Sequence, residues 1–361
     1  MIKLKSSIRD YYVHFEETAE FIGHLAGAPQ ACYAVDHNVW RLYADTLFRS
    51  IDPENVLILH AEEECKSLET VLEVYNYLIK RSAKRNMTLI SIGGGIIQDI
   101  TGFACSTLYR GINWIFVPTT LLAQADSCIG SKTSLNYLSH KNLIGSFYPP
   151  SHVYIYTPFL ATLEEEYFFS GLGEAVKLSI TGGESVMREM VDLLPGVLQR
   201  TPESLADCVH RSLAIKQSYI AEDEFDTGRR NMLNFGHCFG HALESTSDFE
   251  IPHGQAVVLG VILANIVARE RRLLSENLYT LLLDKLLLPS LVVKAKQRHL
   301  DADRVVAAMQ KDKKRVGEKL ALIMVKDGCE MVKVTDLEPS EVSRALREIR
   351  ELPGVTAPAP A

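Results

Sequence analysis

The chain has 361 residues, 47% of them hydrophobic and 23% charged, with a formal net charge of −7. That balance describes an ordinary globular protein of a length that suggests two domains, and the acidic net charge argues against general nucleic-acid binding while leaving room for a local basic pocket that holds a small anion. The opening residues lack the apolar run of a signal peptide and no stretch is long enough to span a bilayer, so the expectation is a cytoplasmic protein with neither a membrane nor a nucleic-acid partner. Seven cysteines, scattered from Cys32 to Cys329 without a Cys-x-x-Cys pair, read as reduced and mostly buried thiols.

In chain order, short apolar runs rich in β-branched and aromatic residues predict strands at Ala31–Asp36, Val56–His60, Thr88–Ile92, Trp114–Val117 and Val153–Tyr156. Between the second and third, Leu68, Val71, Leu72, Val74, Tyr75, Leu78 and Ile79 form one stripe of a helix within Ser67–Asn86. Strand and helix in alternation predict βαβ units and a mainly parallel sheet. From about Thr162 the pattern turns long and helical, at Glu184–Leu194, Pro202–Glu222, Gly254–Arg271 and Glu276–Leu287. The predicted organisation is an α/β nucleotide-binding domain over residues 1–157 and an α-helical metal- and substrate-binding domain over 158–352. A Pro/Ala-rich tail over 353–361 is expected to be disordered.

The strand Thr88–Ile92 runs into Gly93-Gly-Gly-Ile-Ile-Gln-Asp99. Glycines between a buried strand and a helix leave backbone N–H groups bare at the positive end of the helix dipole, which suits a pyrophosphate, although a purely structural turn would look similar. Asp36 follows the first strand at the edge where such sheets bind ligands, and an acid there can take ribose hydroxyls. Thr119-Thr120 follows the strand ending at Val117 on the same edge.

The segment Leu233–Glu244 with Pro252-His-Gly254 carries three histidines. His237 and His241 share a helical face, and a helix–loop–helix would return His253 to the same place. Core or capping histidines would look alike singly, but three of them beside glycines point to a divalent metal, with Glu174 as the candidate carboxylate ligand. Cys238 is adjacent but points off the His237/His241 face. Around these segments lie Asp126, Lys132, Lys141, Asn142, Lys177, Lys216, Arg230 and Asn234. Each lysine alone reads as a solvated charge; several set among glycines and apolar residues form a set that would bind a substrate bearing carboxylate and phosphate. The charge run at Lys313-Lys314 is either a solvated loop or a further anion contact.

Together Ser91–Asp99, Arg110-Gly111, Val117–Ser127, Lys141–Phe147, Gly173–Lys177, Arg230–His237 and His253-Gly254 resemble, in order, the sugar phosphate cyclase superfamily and most closely the 3-dehydroquinate synthase family. The resemblance spans roughly residues 30 to 325 and implies that family's two-part fold. It implies Glu174, His237 and His253 as ligands of Zn2+ or Co2+, so that His241 becomes a proton-handling group rather than the ligand that spacing alone suggests. It implies NAD contacts at Asp36, Asn38, Glu63, Lys66, Gly94, Gly95, Asp99, Thr119, Thr120, Lys132, Lys141, Phe159 and Thr162. Asp126, Lys132, Lys177 and His241 are the implied catalytic residues. Arg110, Asn142, Lys216, Arg230, Asn234 and Lys314 are the implied substrate contacts, with Arg110 reaching a neighbouring subunit's site in a homodimer.

The implied reaction belongs to aromatic amino acid biosynthesis through the shikimate pathway. 3-Deoxy-D-arabino-heptulosonate 7-phosphate is oxidised transiently by NAD, loses phosphate, is reduced again and closes to 3-dehydroquinate by an intramolecular aldol step, leaving the cofactor unchanged. Competing expectations are a 2-deoxy-scyllo-inosose or 2-epi-5-epi-valiolone type cyclase and a metal-dependent alcohol dehydrogenase of the glycerol dehydrogenase type. Four positions depart from the family pattern: Gln98 and Ser131 replace glycines, Asp226 replaces a glutamate, and Gln255 replaces the acid of His-Gly-Glu.

Overall fold

The computed structural model describes residues 1–27, 31–82, 84–138, 140–311 and 320–357. The chain divides into two compact units, Met1–Leu163 and Glu164–Ala361.

In the first unit the order is β1 (Ile2–Leu4), β2 (Tyr11–Phe15), α1 (Glu20–Ala26), β3 (Ala31–Asp36), α2 (His37–Tyr43), β4 (Val56–Leu59), α3 (Leu68–Lys80), β5 (Thr88–Gly93), α4 (Gly95–Thr107), β6 (Asn113–Pro118), β7 (Lys132–Tyr137), β8 (His140–Phe147) and β9 (His152–Ile155). Seven strands form one sheet in the order β1-β2-β9-β6-β5-β3-β4, parallel throughout except for the antiparallel β1 at its edge. The five predicted strands are five of its six parallel members. Their continuous apolar runs suit strands covered on both faces, and Val35, Ile90, Ile92 and Val117 sit in a core with Phe21, Phe48 and Phe159.

β2 and the β7–β8 hairpin have no counterpart among the predicted strands. β2 interleaves Tyr12 and His14 with Tyr11 and Val13, and β8 (His-Lys-Asn-Leu-Ile-Gly-Ser-Phe) is largely exposed. Neither presents the apolar run on which the reading relied. The hairpin is anchored from outside itself: Ser134 N donates to Asp99 Oδ1 at 3.0 Å and Asn136 N to Lys66 O at 2.8 Å.

In the second unit α5 (Glu165–Thr181), α6 (Glu184–Leu198), α7 (Pro202–Glu222), α8 (His237–Thr246), α9 (His253–Glu270), α10 (Glu276–Leu282), α11 (Ala302–Gln310) and α12 (Pro339–Glu351) surround one another. α9 is central: every residue from Gly254 to Ala268 is buried, so it is apolar all round rather than amphipathic. α6 was expected to stop at Leu194, before Pro195, but runs on to Leu198; a proline near a helix end removes little of the hydrogen-bond ladder.

The long helical pattern expected after Thr162, with few strand signals, holds, and β10 (Leu320–Lys326) and β11 (Glu330–Leu337) add one antiparallel hairpin against α9. A short apolar run such as Leu-Ala-Leu-Ile-Met-Val cannot be told from a buried helical turn by periodicity. The tail is also ordered further than expected: Val355 is buried, Ala295 N donates to Val355 O at 2.8 Å and Ala357 N to Ala295 O at 3.0 Å. No helix among the described residues is long and apolar enough to cross a membrane.

Candidate active site

In the first unit, β3, β5 and β6 end level with one another, with Val35 opposite Ile92 and Gly93 opposite Pro118. Asp36, the glycine turn and Thr119-Thr120 therefore emerge at one edge, as parallel pairing requires. Thr119 N donates to Gly93 O at 3.0 Å, and a Cβ on Gly94 would come within 2.9 Å of Thr120 Cγ2. Glycine at 94 thus lets the two turns pass while leaving the first N–H groups of the 13-residue helix α4 facing outward.

Asp36 caps α2: its Oδ1 accepts from Asn38 N at 2.7 Å and Val39 N at 3.4 Å. Burial pushes its carboxyl up, and those N–H groups oppose the shift. Part of the carboxylate is therefore structural.

Lys66, which is buried, and Asp99, which is partly buried, form an ion pair, Nζ to Oδ2 at 2.5 Å. Burial pushes Asp99 up, while Lys66 and the Ser134 N–H and hydroxyl act against it. Asn142, in the left-handed region at φ 52°, accepts from Lys66 Nζ at 2.6 Å on its Oδ1, which also lies 2.9 Å from Ser134 Oγ. Glu63 Oε1 receives Asn136 Nδ2 at 2.8 Å. Four residues expected at cofactor or substrate are thus joined through the hairpin into one polar network. Lys66→Met would leave Asp99 without its cation. We expect it to cost about 3 kcal/mol, the low end for breaking a buried pair because Ser134 remains; denaturant midpoints check this.

The remaining first-unit candidates are dispersed. Asp126 sits in the π-helical turn Ala123–Ser127. Lys132 is exposed at the start of β7, and Lys141 lies in β8. Phe159 is a core residue, its ring 5.3 Å from that of Tyr43 and 5.2 Å from that of Tyr156, and Thr162 Oγ1 lies 2.7 Å from the Tyr43 hydroxyl. Arg110 is exposed and left-handed at φ 61° beside Gly111.

In the second unit the backbones of α5 and α9 touch. A Cβ on Gly173 would lie 2.4 Å from Gly254 O, and one on Gly254 1.7 Å from Ser170 O. Only glycine permits that approach, and it sets Glu174 of α5 beside His253, the first residue of α9. Gly236, left-handed at φ 79°, starts α8 at His237. Glu174 Oε1 then lies 3.1 Å from His253 Nε2 and 3.6 Å from His237 Nε2. It is buried and accepts no hydrogen bond, whereas Oε2 takes Lys177 Nζ at 2.5 Å.

An orphaned carboxylate oxygen facing two imidazole nitrogens is the donor set of a divalent cation. Tetrahedral ligands about 2.1 Å from zinc stand roughly 3.4 Å apart, so these separations fit Zn2+ or Co2+. Burial alone would raise Glu174, but Lys177 and the two imidazoles hold it well below the usual carboxylate range. Burial, helped by Lys177, holds His237 well below the usual imidazole value against the pull of Glu174, which leaves its lone pair available. Burial would lower His253 too, yet the carboxylates of Glu174 and Glu244 hold it up at about 10.

The ring of His241 lies 5.3 Å from that of His237 and 6.0 Å from that of His253. Its ligand atom groups with Glu244 and His253 rather than with Glu174. Lys216 is buried in α7, and Arg230 is buried in the following 3-10 segment Arg229–Asn234. Arg230 N donates to Asp223 Oδ2 at 3.0 Å and its Nη1 to Glu224 O, while Asn234 Nδ2 donates to Asn231 O at 3.1 Å. Lys313 and Lys314 lie outside the described residues. Glu244 is not among the predicted site residues, although its spacing of 7 and 3 from His237 and His241 puts it on their face.

Three of the departures have visible structural consequences. Gln255 donates to Phe169 O at 3.0 Å and Ser290 O at 2.9 Å and accepts from Val292 N at 2.8 Å; a carboxylate there would face two carbonyls. Gln98 and Ser127 exchange two bonds, Nε2 to O at 2.7 Å and Oγ to Oε1 at 2.6 Å, which ties α4 to the turn holding Asp126. Ser131 occupies φ 64°, where glycine would be unstrained. Asp226, also left-handed at φ 59°, accepts from Asn231 Nδ2 at 3.2 Å; nothing in the structure explains why it is shorter than glutamate.

The profile of the 3-dehydroquinate synthase N-terminal domain matches residues 56–170, and that of the C-terminal domain matches 171–315. A 3-dehydroquinate synthase of Clostridium tetani is 41% identical over 246 residues, 68% of this chain and 66% of that protein. One from Dehalococcoides mccartyi is 34% identical over 338 residues, 92% of this chain and 94% of its own length. Among solved structures, a 2-epi-5-epi-valiolone synthase from Streptomyces hygroscopicus with NAD+ and Zn2+ bound superposes with a TM-score of 0.83 at 25% identity, over 97% of this chain and 99% of that one. With identity above 30% sustained along nearly its whole length, the chain belongs to the 3-dehydroquinate synthase family.

Proposed function

We propose that the chain converts 3-deoxy-D-arabino-heptulosonate 7-phosphate to 3-dehydroquinate and phosphate as a homodimer, with NAD and Zn2+ or Co2+ as cofactors. The observation that carries this reading is the orphaned Glu174 Oε1 set against two imidazoles, in a unit that also buries Lys177, Lys216 and Arg230. A metal in a unit that also buries several cations suits a polyol bearing both carboxylate and phosphate. When bound, the metal would supply Lewis-acid polarisation of a carbinol and NAD would supply reversible hydride transfer.

The chain's own residues bind and orient. Glu174, His237 and His253 hold the metal, and Lys177 offsets the charge of Glu174. Arg230, Lys216 and Asn234 receive the substrate's carboxylate. Asp126, Lys132 and His241 position hydroxyls and pass protons. The α4 N-terminus with Gly94 and Gly95 takes the pyrophosphate, and Asp36, Asn38, Thr119 and Thr120 complete the cofactor's bed. Arg110, exposed in its left-handed turn, serves the partner's site. These assignments follow the family resemblance; burial supports Glu174, Lys177, Lys216 and Arg230, and the level strand ends support Asp36, Gly94, Thr119 and Thr120.

Phosphate release measured in parallel with the heptulosonate phosphate, glucose 6-phosphate and sedoheptulose 7-phosphate tests the substrate. Turnover should require NAD+, favour the heptulosonate and generate no stoichiometric NADH. NADH absorbance growing in step with product would point instead to a metal-dependent alcohol dehydrogenase, and preference for either other sugar to a different cyclase.

A further inference from the structure

Glu244 has no role in the scheme above, yet it is buried on the face of α8 that carries His237 and His241. Its Oε2 lies 3.3 Å from Nδ1 of His253. His241, Glu244 and His253 form a second cluster whose ligand atoms lie within 4.8 Å of one another. A second metal there would compete with the first for one ring. Nε2 of His253 already faces Glu174 at 3.1 Å, and a neutral imidazole offers a single lone pair. With Nε2 given to a metal, the ring's remaining proton falls on Nδ1, where the Glu244 carboxylate is placed to accept it.

The three candidate ligands differ in how firmly packing holds them. The Glu174 side chain is 2% exposed and that of His237 14%, whereas that of His253 is 37% exposed at the very start of its helix. His237 has its own restraint, Nδ1 lying 3.2 Å from Phe235 O. His253, with the most rotational freedom to lose, needs the strongest one, and a carboxylate acceptor is stronger than a carbonyl. We propose that Glu244 is a positioning residue, fixing the tautomer and orientation of His253 so that Nε2 is presented toward Glu174 Oε1. This links α8 to the first turn of α9 across the metal site and raises the donor strength of the ring. The inference rests on the metal reading given under the proposed function.

The test uses the full chain stripped of metal and titrated with Co2+, followed by visible absorption. The unmutated protein should bind Co2+ tightly. Glu244→Gln keeps the shape but loses the charge, and it should bind about 10- to 100-fold more weakly, with altered d–d bands. Glu244→Ala should bind more weakly still. Wild-type affinity and spectrum in both variants would overturn the role of Glu244 while leaving the metal site standing. Absence of Co2+ binding by the unmutated chain would remove the metal reading itself, and the proposal with it. A measurement needing no variant is the long-range 1H–15N correlation of the histidine rings in the Zn2+-loaded protein. The proton of His253 should lie on Nδ1 with Nε2 coordinated, and coordination through Nδ1 would overturn the proposal.

Discussion

His253→Ala should lose tightly bound metal and nearly all turnover while remaining folded. Its Nε2 is one of two nitrogens facing Glu174 Oε1, at 3.1 Å, and removing it leaves a carboxylate and one imidazole, too few to hold Zn2+ or Co2+ firmly. The loss should exceed the about 10- to 100-fold typical of removing an outer partner. The fold should survive because Glu174 keeps Lys177 at 2.5 Å and because the close contact between α5 and α9 is made by Gly173, Gly254 and Ser170 rather than by the imidazole. Elemental analysis of the purified variant, with circular dichroism for helix content, checks both halves. A fully metallated, active His253→Ala protein would refute the ligand set.

Arg230→Ala is the second large effect. Arg230 is 3% exposed, so an anion bound there is poorly hydrated and its loss of a partner is costly. A charge-assisted bond of that kind contributes roughly 2–4 kcal/mol. The variant should therefore lose on the order of 30- to 1000-fold in kcat/KM, at tenfold per 1.4 kcal/mol. The Arg230 backbone N–H still donates to Asp223 Oδ2 at 3.0 Å in the variant, so the loop should keep its course although the side-chain bond to Glu224 O is lost with the guanidinium. The decisive comparison is an analogue without the carboxylate, for which the loss should be much smaller. Equal losses on both substrates would mean that Arg230 does not read that group.

Sequence periodicity by itself determined the sheet's parallel centre and most of the helices. The strands β3, β5 and β6 are apolar on both faces, and Pro202–Glu222 carries an unbroken pattern ending where the structure ends it. The same sequence put His237 and His241 on one face, because helical spacing is a local property. What only the tertiary structure decided are pairings between residues far apart in the chain. β7 and β8 are polar and owe their place to Lys66 and Asp99. β10 reads like a helical turn until β11 pairs with it. The approach of Glu174 to His237 and His253 depends on close backbone packing at Gly173 and Gly254, 81 residues apart, which no window along the chain contains. Glu244 followed the same logic: its helical face was legible, but its worth depended on a 3.3 Å contact to a ring on the next helix. Local hydrogen bonding and burial patterns are written in neighbouring residues, whereas the donor geometry of a site is set by how helices pack, and glycines that signal close approach do not say to what.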